Sequence, residues 1–170
     1  MRTISFHYKF ISQLVCIALL FSSLILGCKK EKDNTDNVTP VYGSASVNGA
    51  FNTFTRADFY IVQEGNRLKN FVTLSRANNA KVRIIFYGTE EGTREIGKDS
   101  LKLEYVDASS RVFRSDSGKV IIDEYINRDG TFKVSGGFSF VSYYTEILPD
   151  TTVIVKTTIE NGAFINITNN

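Results

Sequence analysis

The sequence predicts an all-β domain, an antiparallel β-sandwich of about ten short strands, with a small β-barrel as the alternative. Three observations lead there. Short runs of β-branched and aromatic residues recur between turn signals from residue 41 onward. Those signals include Asn48-Gly49, Asp129-Gly130 and Asn161-Gly162, pairs suited to two-residue hairpins. No segment past residue 40 keeps a helical period for more than two turns.

The elements follow in order. Residues 42–47 and 50–55 flank Asn48-Gly49 and form the opening hairpin. Residues 58–63 are a strand closed by Glu64-Gly65-Asn66, and residues 71–75 precede the turn Asn78-Asn79. Residues 81–87 set Lys81 and Arg83 against Val82, Ile84 and Phe86, so one face is apolar. A loop at 88–92 leads to short strands at 93–96 and 101–106. Residues 108–119 are the most polar stretch, with Asp116-Ser117-Gly118 as a turn and only Val112-Phe113 able to pair. Residues 120–126 are β-branched and end at Asn127-Arg128-Asp129-Gly130. Residues 131–145 form the longest strand, with Phe132, Val134, Gly136, Phe138 and Phe140 on one face. Gly136-Gly137 inside it signals a bulge or a sharp coil. Residues 152–159 and 163–167 flank Asn161-Gly162 as a final hairpin. Strands of four to six residues favour the sandwich over a barrel with a cavity.

The N-terminus has a different character. Arg2 and Lys9 precede residues 10–26, a run dominated by Leu, Ile, Val, Phe and Ala. This is the order of a secretory leader. The run ends in Ile25-Leu26-Gly27-Cys28, which resembles the lipobox of bacterial lipoproteins. The resemblance implies a signal peptide over residues 1–27, removed on processing, and lipidation of Cys28 by diacylglycerol and palmitate-type chains. Two or three chains hold a protein to a membrane where one gives only marginal binding. An uncleaved N-terminal helix is the competing expectation. Residues 29–40 are charged and polar, a disordered tether that reaches about 40 Å when extended. The domain organisation is thus leader 1–27, Cys28 and tether 28–40, and one β domain 41–170.

Processing changes what chemistry is available. The chain has 20 Lys plus Arg and 18 Asp plus Glu, and the leader holds two of the cations and no acid. The remainder is formally neutral, with no bulk field to draw nucleic acid. His7, the only histidine, and Cys16 lie in the leader, and Cys28 is the other cysteine. The β domain therefore lacks a Ser-His-acid triad, a cysteine nucleophile, a His/Cys metal site and disulfides. No cofactor, metal or catalytic residue is expected, and the protein is expected not to be an enzyme.

The remaining candidates are weighed against plainer roles. Glu90-Glu91, Asp123-Glu124 and Asp99 with Glu104 are imaginable glycosidase carboxylates, but solvated surface acids explain them better. Asp116-Ser117-Gly118 and Asn127-Arg128-Asp129-Gly130 are turn chemistry rather than calcium loops. Tyr125, Tyr143 and Tyr144 are the candidate ligand-binding residues, because tyrosines exposed on a sheet stack on sugars or line interfaces. In strict alternation Tyr125 falls on the face opposite Val120, Ile122 and Ile126.

Ser46-Val47-Asn48-Gly49, the stretch Val134 to Phe140 and the closing Thr158 to Ile167 together resemble an uncharacterised family of small Bacteroidota-type envelope lipoproteins. That family reads as a lipobox, a charged tether, a Gly-x-Phe-x-Phe strand and a terminal Gly-x-Phe-x-Asn-Ile strand. The resemblance implies an all-β envelope domain and no known activity. The expected role is a cell-envelope lipoprotein with a non-catalytic domain for binding or structure. The alternatives are a glycan-binding accessory lipoprotein and, less favoured, a carboxylate hydrolase. Lys29 after the cysteine favours the outer membrane, by resemblance to better-known lipoproteins. The expected partners are the membrane, through the acyl chains, and a glycan or a protein.

Overall fold

The structure, a computed structural model, describes residues 41–169. The expected leader, Cys28 and the tether lie outside the described residues. The described chain is all-β: β1 (Gly43–Val47), β2 (Ala50–Phe54), β3 (Arg56–Glu64), β4 (Arg67–Ser75), β5 (Lys81–Tyr87), β6 (Gly92–Glu95), β7 (Lys102–Val106), β8 (Val112–Arg128), β9 (Thr131–Leu148) and β10 (Thr151–Thr168).

The strands form one continuous antiparallel sheet in the order β2-β1-β10-β9-β8-β7-β5-β4-β3, with β6 beside β8. The sheet curls until Phe59 of β3 meets Asn169 in a single parallel bridge. The inner faces of β3, β4, β5 and β7 thereby share one core with β1, β2 and β8–β10. Phe54, Phe86 and Phe164 are fully buried within it. Each such ring contributes about 2–3 kcal/mol through the apolar area it removes from water.

The predicted turns close the hairpins. Asn48 and Gly49 have φ of 50° and 80°, and Asp129 and Gly130 have 52° and 82°. These are the paired positive values of a type I′ turn, which matches the right-handed twist of the flanking strands. Val47 pairs with Ala50, and Arg128 with Thr131.

Two expectations fail for one physical reason. Asp116-Ser117-Gly118 is not a turn, and Asn161-Gly162 is not a hairpin. Both are bulges inside long strands, so β8 runs unbroken for 17 residues and β10 for 18. The register of β8 on β9 slips between Ser115 and Ser117 and again between Ile122 and Glu124. That of β10 slips between Ile159 and Gly162 and between Phe164 and Ile167. Asn161 (φ 50°) and Asn166 (φ 52°) supply the left-handed residue in each β10 bulge. Such residues serve a bulge as well as a turn.

The Gly136-Gly137 signal belongs to the coil, but β9 itself carries no extra residue; the bulges sit on its neighbours. A Cβ at Gly136 would lie 2.1 Å from the Ile121 carbonyl oxygen and 2.8 Å from the Phe164 ring. Only hydrogen fits where the coiled neighbours approach.

Candidate functional site

The expected tyrosines are not brought together. The bulge at Asp123 shifts the alternation of β8 by one residue, so Tyr125 points inward with Ile122 rather than away from it. Its ring packs edge-on to Phe59 at 6.3 Å and Phe132 at 6.1 Å. Its hydroxyl donates to Asn70 Oδ1 at 2.8 Å, and burial pushes its pKa up to about 12. Asn70 is fully buried on β4, and its Nδ2 donates to the Gly88 carbonyl at 2.7 Å. Tyr125 is thus a structural residue that ties β8 to β4 and to the loop after β5.

Tyr144 leans on Phe113 at 5.6 Å, with the Arg111 guanidinium 5.7 Å from its ring. Tyr143 is paired between Arg114 and Lys156. The Arg111 guanidinium is fixed by Asp107 at 2.7 Å. Burial works to raise the Asp107 pKa, but hydrogen bonds from the Arg111 and Ser109 amides and the Arg111 side chain outweigh it and hold the carboxyl below its usual range.

The carboxylate candidates divide. Glu90, Glu91 and Asp99 line a cleft of about 350 Å³ together with Arg67, Arg94 and Lys98. Arg94 is buried there and serves the loop backbone: Nη2 donates to the Glu90 carbonyl at 2.6 Å and Nε to the Tyr87 carbonyl at 3.1 Å. Glu104 is elsewhere, between Arg83 at 3.4 Å and Arg114 at 4.0 Å. Asp123 is the extra residue of a bulge, and Glu124 pairs with Lys133 at 2.9 Å. Among the described residues, no group of three or more His, Cys, Asp or Glu is placed to hold a metal ion. No described helix is long and apolar enough to cross a membrane.

A further surface site, which the sequence reading missed, lies on the outward face of β3, β4, β5 and β7. Tyr60 pairs with Phe71, Phe71 with Ile85, and Ile85 with Lys102, so these four form one row across the sheet. The Tyr60 and Phe71 rings stack face to face, 4.5 Å between centroids and 8° from parallel. Tyr60 stays 52% exposed, which leaves ring surface free for a ligand. A shallow groove of about 300 Å³ opens beside the stack, lined by Tyr60, Phe71, Thr73, Lys81, Arg83, Ile85 and Glu104. The adjoining row pairs Val62 with Lys69 and Lys69 with Tyr87.

Polar contacts stiffen this face. Lys69 Nζ donates to Glu64 at 2.7 Å, and the Tyr87 hydroxyl donates to the same carboxylate at 2.5 Å. These two hydrogen bonds, that from Lys69 first, hold the Glu64 pKa below its usual range. The Arg67 guanidinium lies 4.7 Å over the Tyr87 ring.

The signal for this site was in the sequence, in the turn rather than in periodicity. Phe59-Tyr60-Ile61-Val62 shows no alternation, so no face could be assigned. Counting back from Glu64-Gly65-Asn66-Arg67 as a two-residue hairpin places Tyr60 opposite Phe71.

No known family model matches this chain, and no curated protein and no solved structure is significantly similar to it.

Proposed function

We propose that this chain is a lipid-anchored cell-envelope lipoprotein whose β domain is a non-catalytic, glycan-binding module. The single observation that carries the binding reading is the stacked Tyr60–Phe71 pair beside an open groove on the outward sheet face. An aromatic ring held rigid by a neighbour offers its free face to the C–H surface of a sugar at little entropic cost. Thr73 and Glu104 at the groove wall supply groups that hydrogen-bond sugar hydroxyls. The anchor rests on Ile25-Leu26-Gly27-Cys28, and placement in the outer membrane rests on Lys29. The non-catalytic reading rests on the β domain's lack of histidine and cysteine.

Two variants test the two halves. Cys28→Ala should abolish incorporation of a labelled fatty acid and release the protein from the membrane fraction; undiminished labelling refutes the anchor. Tyr60→Ala should lower retention of the protein in polysaccharide affinity gels by about fivefold, the loss of one stacking contact of roughly 1 kcal/mol. Unchanged retention refutes the platform.

A further inference from the structure

Resting on that reading, we infer that the ligand is an acidic polysaccharide bearing spaced negative charges, laid along the strands of the β3–β4–β5–β7 face. The domain as a whole is balanced, with 15 Lys plus Arg and 15 Asp plus Glu from residue 41 onward. The fold does not distribute them evenly. The outward positions of these four strands carry six cations, Arg56, Arg67, Lys69, Lys81, Arg83 and Lys102, against three acids, Asp58, Glu64 and Glu104.

The cations are also ordered. Strand pairing arranges the outward residues in five successive rows. Arg56 and Lys81 lie in the first, Arg83 in the second, Lys102 in the third, Lys69 in the fourth and Arg67 in the fifth. Every row holds at least one positive charge. The track follows β4 from Ser75 to Arg67, about 27 Å at roughly 3.4 Å per residue. The Tyr60–Phe71 stack occupies the middle row. Glu64 is engaged by Lys69 and Tyr87, and Glu104 by Arg83 and Arg114. Arg56, Arg67, Lys81 and Lys102 have no ion-pair partner among the described residues.

Two features select the polymer. Stacking at the centre of the track suits a ring, and a sequence of cations along one direction suits a chain with repeated anionic groups. The three interspersed carboxylates penalise a polymer charged at every unit, such as a nucleic acid, yet they accept hydrogen bonds from neutral hydroxyls. A polysaccharide with carboxylates on some of its sugars meets both conditions.

The test uses the full-length protein and four probes: hyaluronan, neutral dextran, single-stranded DNA and phosphatidylglycerol vesicles. Hyaluronan should bind at least about tenfold more tightly than dextran, and that preference should collapse between about 0.05 M and about 0.5 M salt as screening shortens the electrostatic reach. The pair Lys81→Glu and Lys102→Glu should weaken hyaluronan binding by about tenfold or more while leaving the thermal midpoint in place. Lys119→Glu, a charge reversal on β8 away from the track, should leave it unchanged. Equal binding of hyaluronan and dextran overturns the acidic class and keeps the glycan reading. Failure of both polysaccharides to bind overturns both. Tighter binding of DNA or vesicles than of hyaluronan overturns the polymer assigned here.

Discussion

The Tyr125–Asn70 hydrogen bond gives the sharpest stability prediction. Tyr125→Phe keeps the ring against Phe59 and Phe132 and removes one oxygen. Asn70 Oδ1 then loses its donor at a position with no solvent exposure, while Nδ2 stays bonded to the Gly88 carbonyl. A buried acceptor left unpaired costs about 1–3 kcal/mol. With a denaturant slope of about 2 kcal/mol per molar urea, the unfolding midpoint should fall by about 0.5–1.5 M. Tyr143→Phe, on the outer face, is the control and should move it little. The pH dependence checks the burial of the same hydroxyl. The hydroxyl pKa is about 12 in the folded protein and about 10 in the unfolded chain, so the folded state holds the proton more tightly. That stabilisation is complete below about pH 10 and is lost as pH rises toward about 12. Discounted for partial exposure it amounts to about 1 kcal/mol. The stability difference between wild type and Tyr125→Phe should shrink across that window. A variant within about 0.3 kcal/mol of wild type at neutral pH would refute the view that this hydrogen bond holds β8 to β4.

Two further outcomes are expected. Gly136→Ala should destabilise by about 2 kcal/mol or more in chemical denaturation, because the added carbon meets the Ile121 carbonyl oxygen at 2.1 Å, and backbone cannot swing away as a side chain does. The tip of the β9–β10 hairpin pairs only with itself and exposes Ile147 (83%) and Ile154 (65%). Replacing both by Lys should change unfolding free energy by less than about 0.5 kcal/mol and raise the concentration at which the protein stays monodisperse in light scattering.

Much of the fold was legible because antiparallel strands announce themselves by local rules. Asn48-Gly49 and Asp129-Gly130 turn where their conformational preferences require, and the Phe132–Phe140 alternation marks the core face of β9. Bulges were not legible. Asn161 and Asn166 adopt the left-handed conformation that a tight turn also uses, so the local chemistry is the same and only the neighbouring strands decide the outcome. Each bulge also breaks simple alternation downstream. Phe164 is fully buried while Ile165 is 54% exposed, the reverse of what alternation from Ile159 gives. Tyr125 was misplaced in the same way. The cationic track was hidden for a different reason. Its third row gains Lys102 only because β5 lies beside β7, with β6 displaced to the flank of β8, and local patterning does not encode that adjacency.

The uneven use of bulges makes β9 a fixed spine between two adjustable flanks. Removing Asn161 would convert a two-against-one mismatch into a plain ladder, with Ile159 and Gly162 keeping their partners Phe140 and Phe138. Loss of the extra residue at a bulge of β8 or β10 can therefore be absorbed without turning the core outward, while a single-residue loss in β9 would reverse every side chain beyond it. The curvature of the whole shell is thus free to vary through its flanks at little cost to its interior.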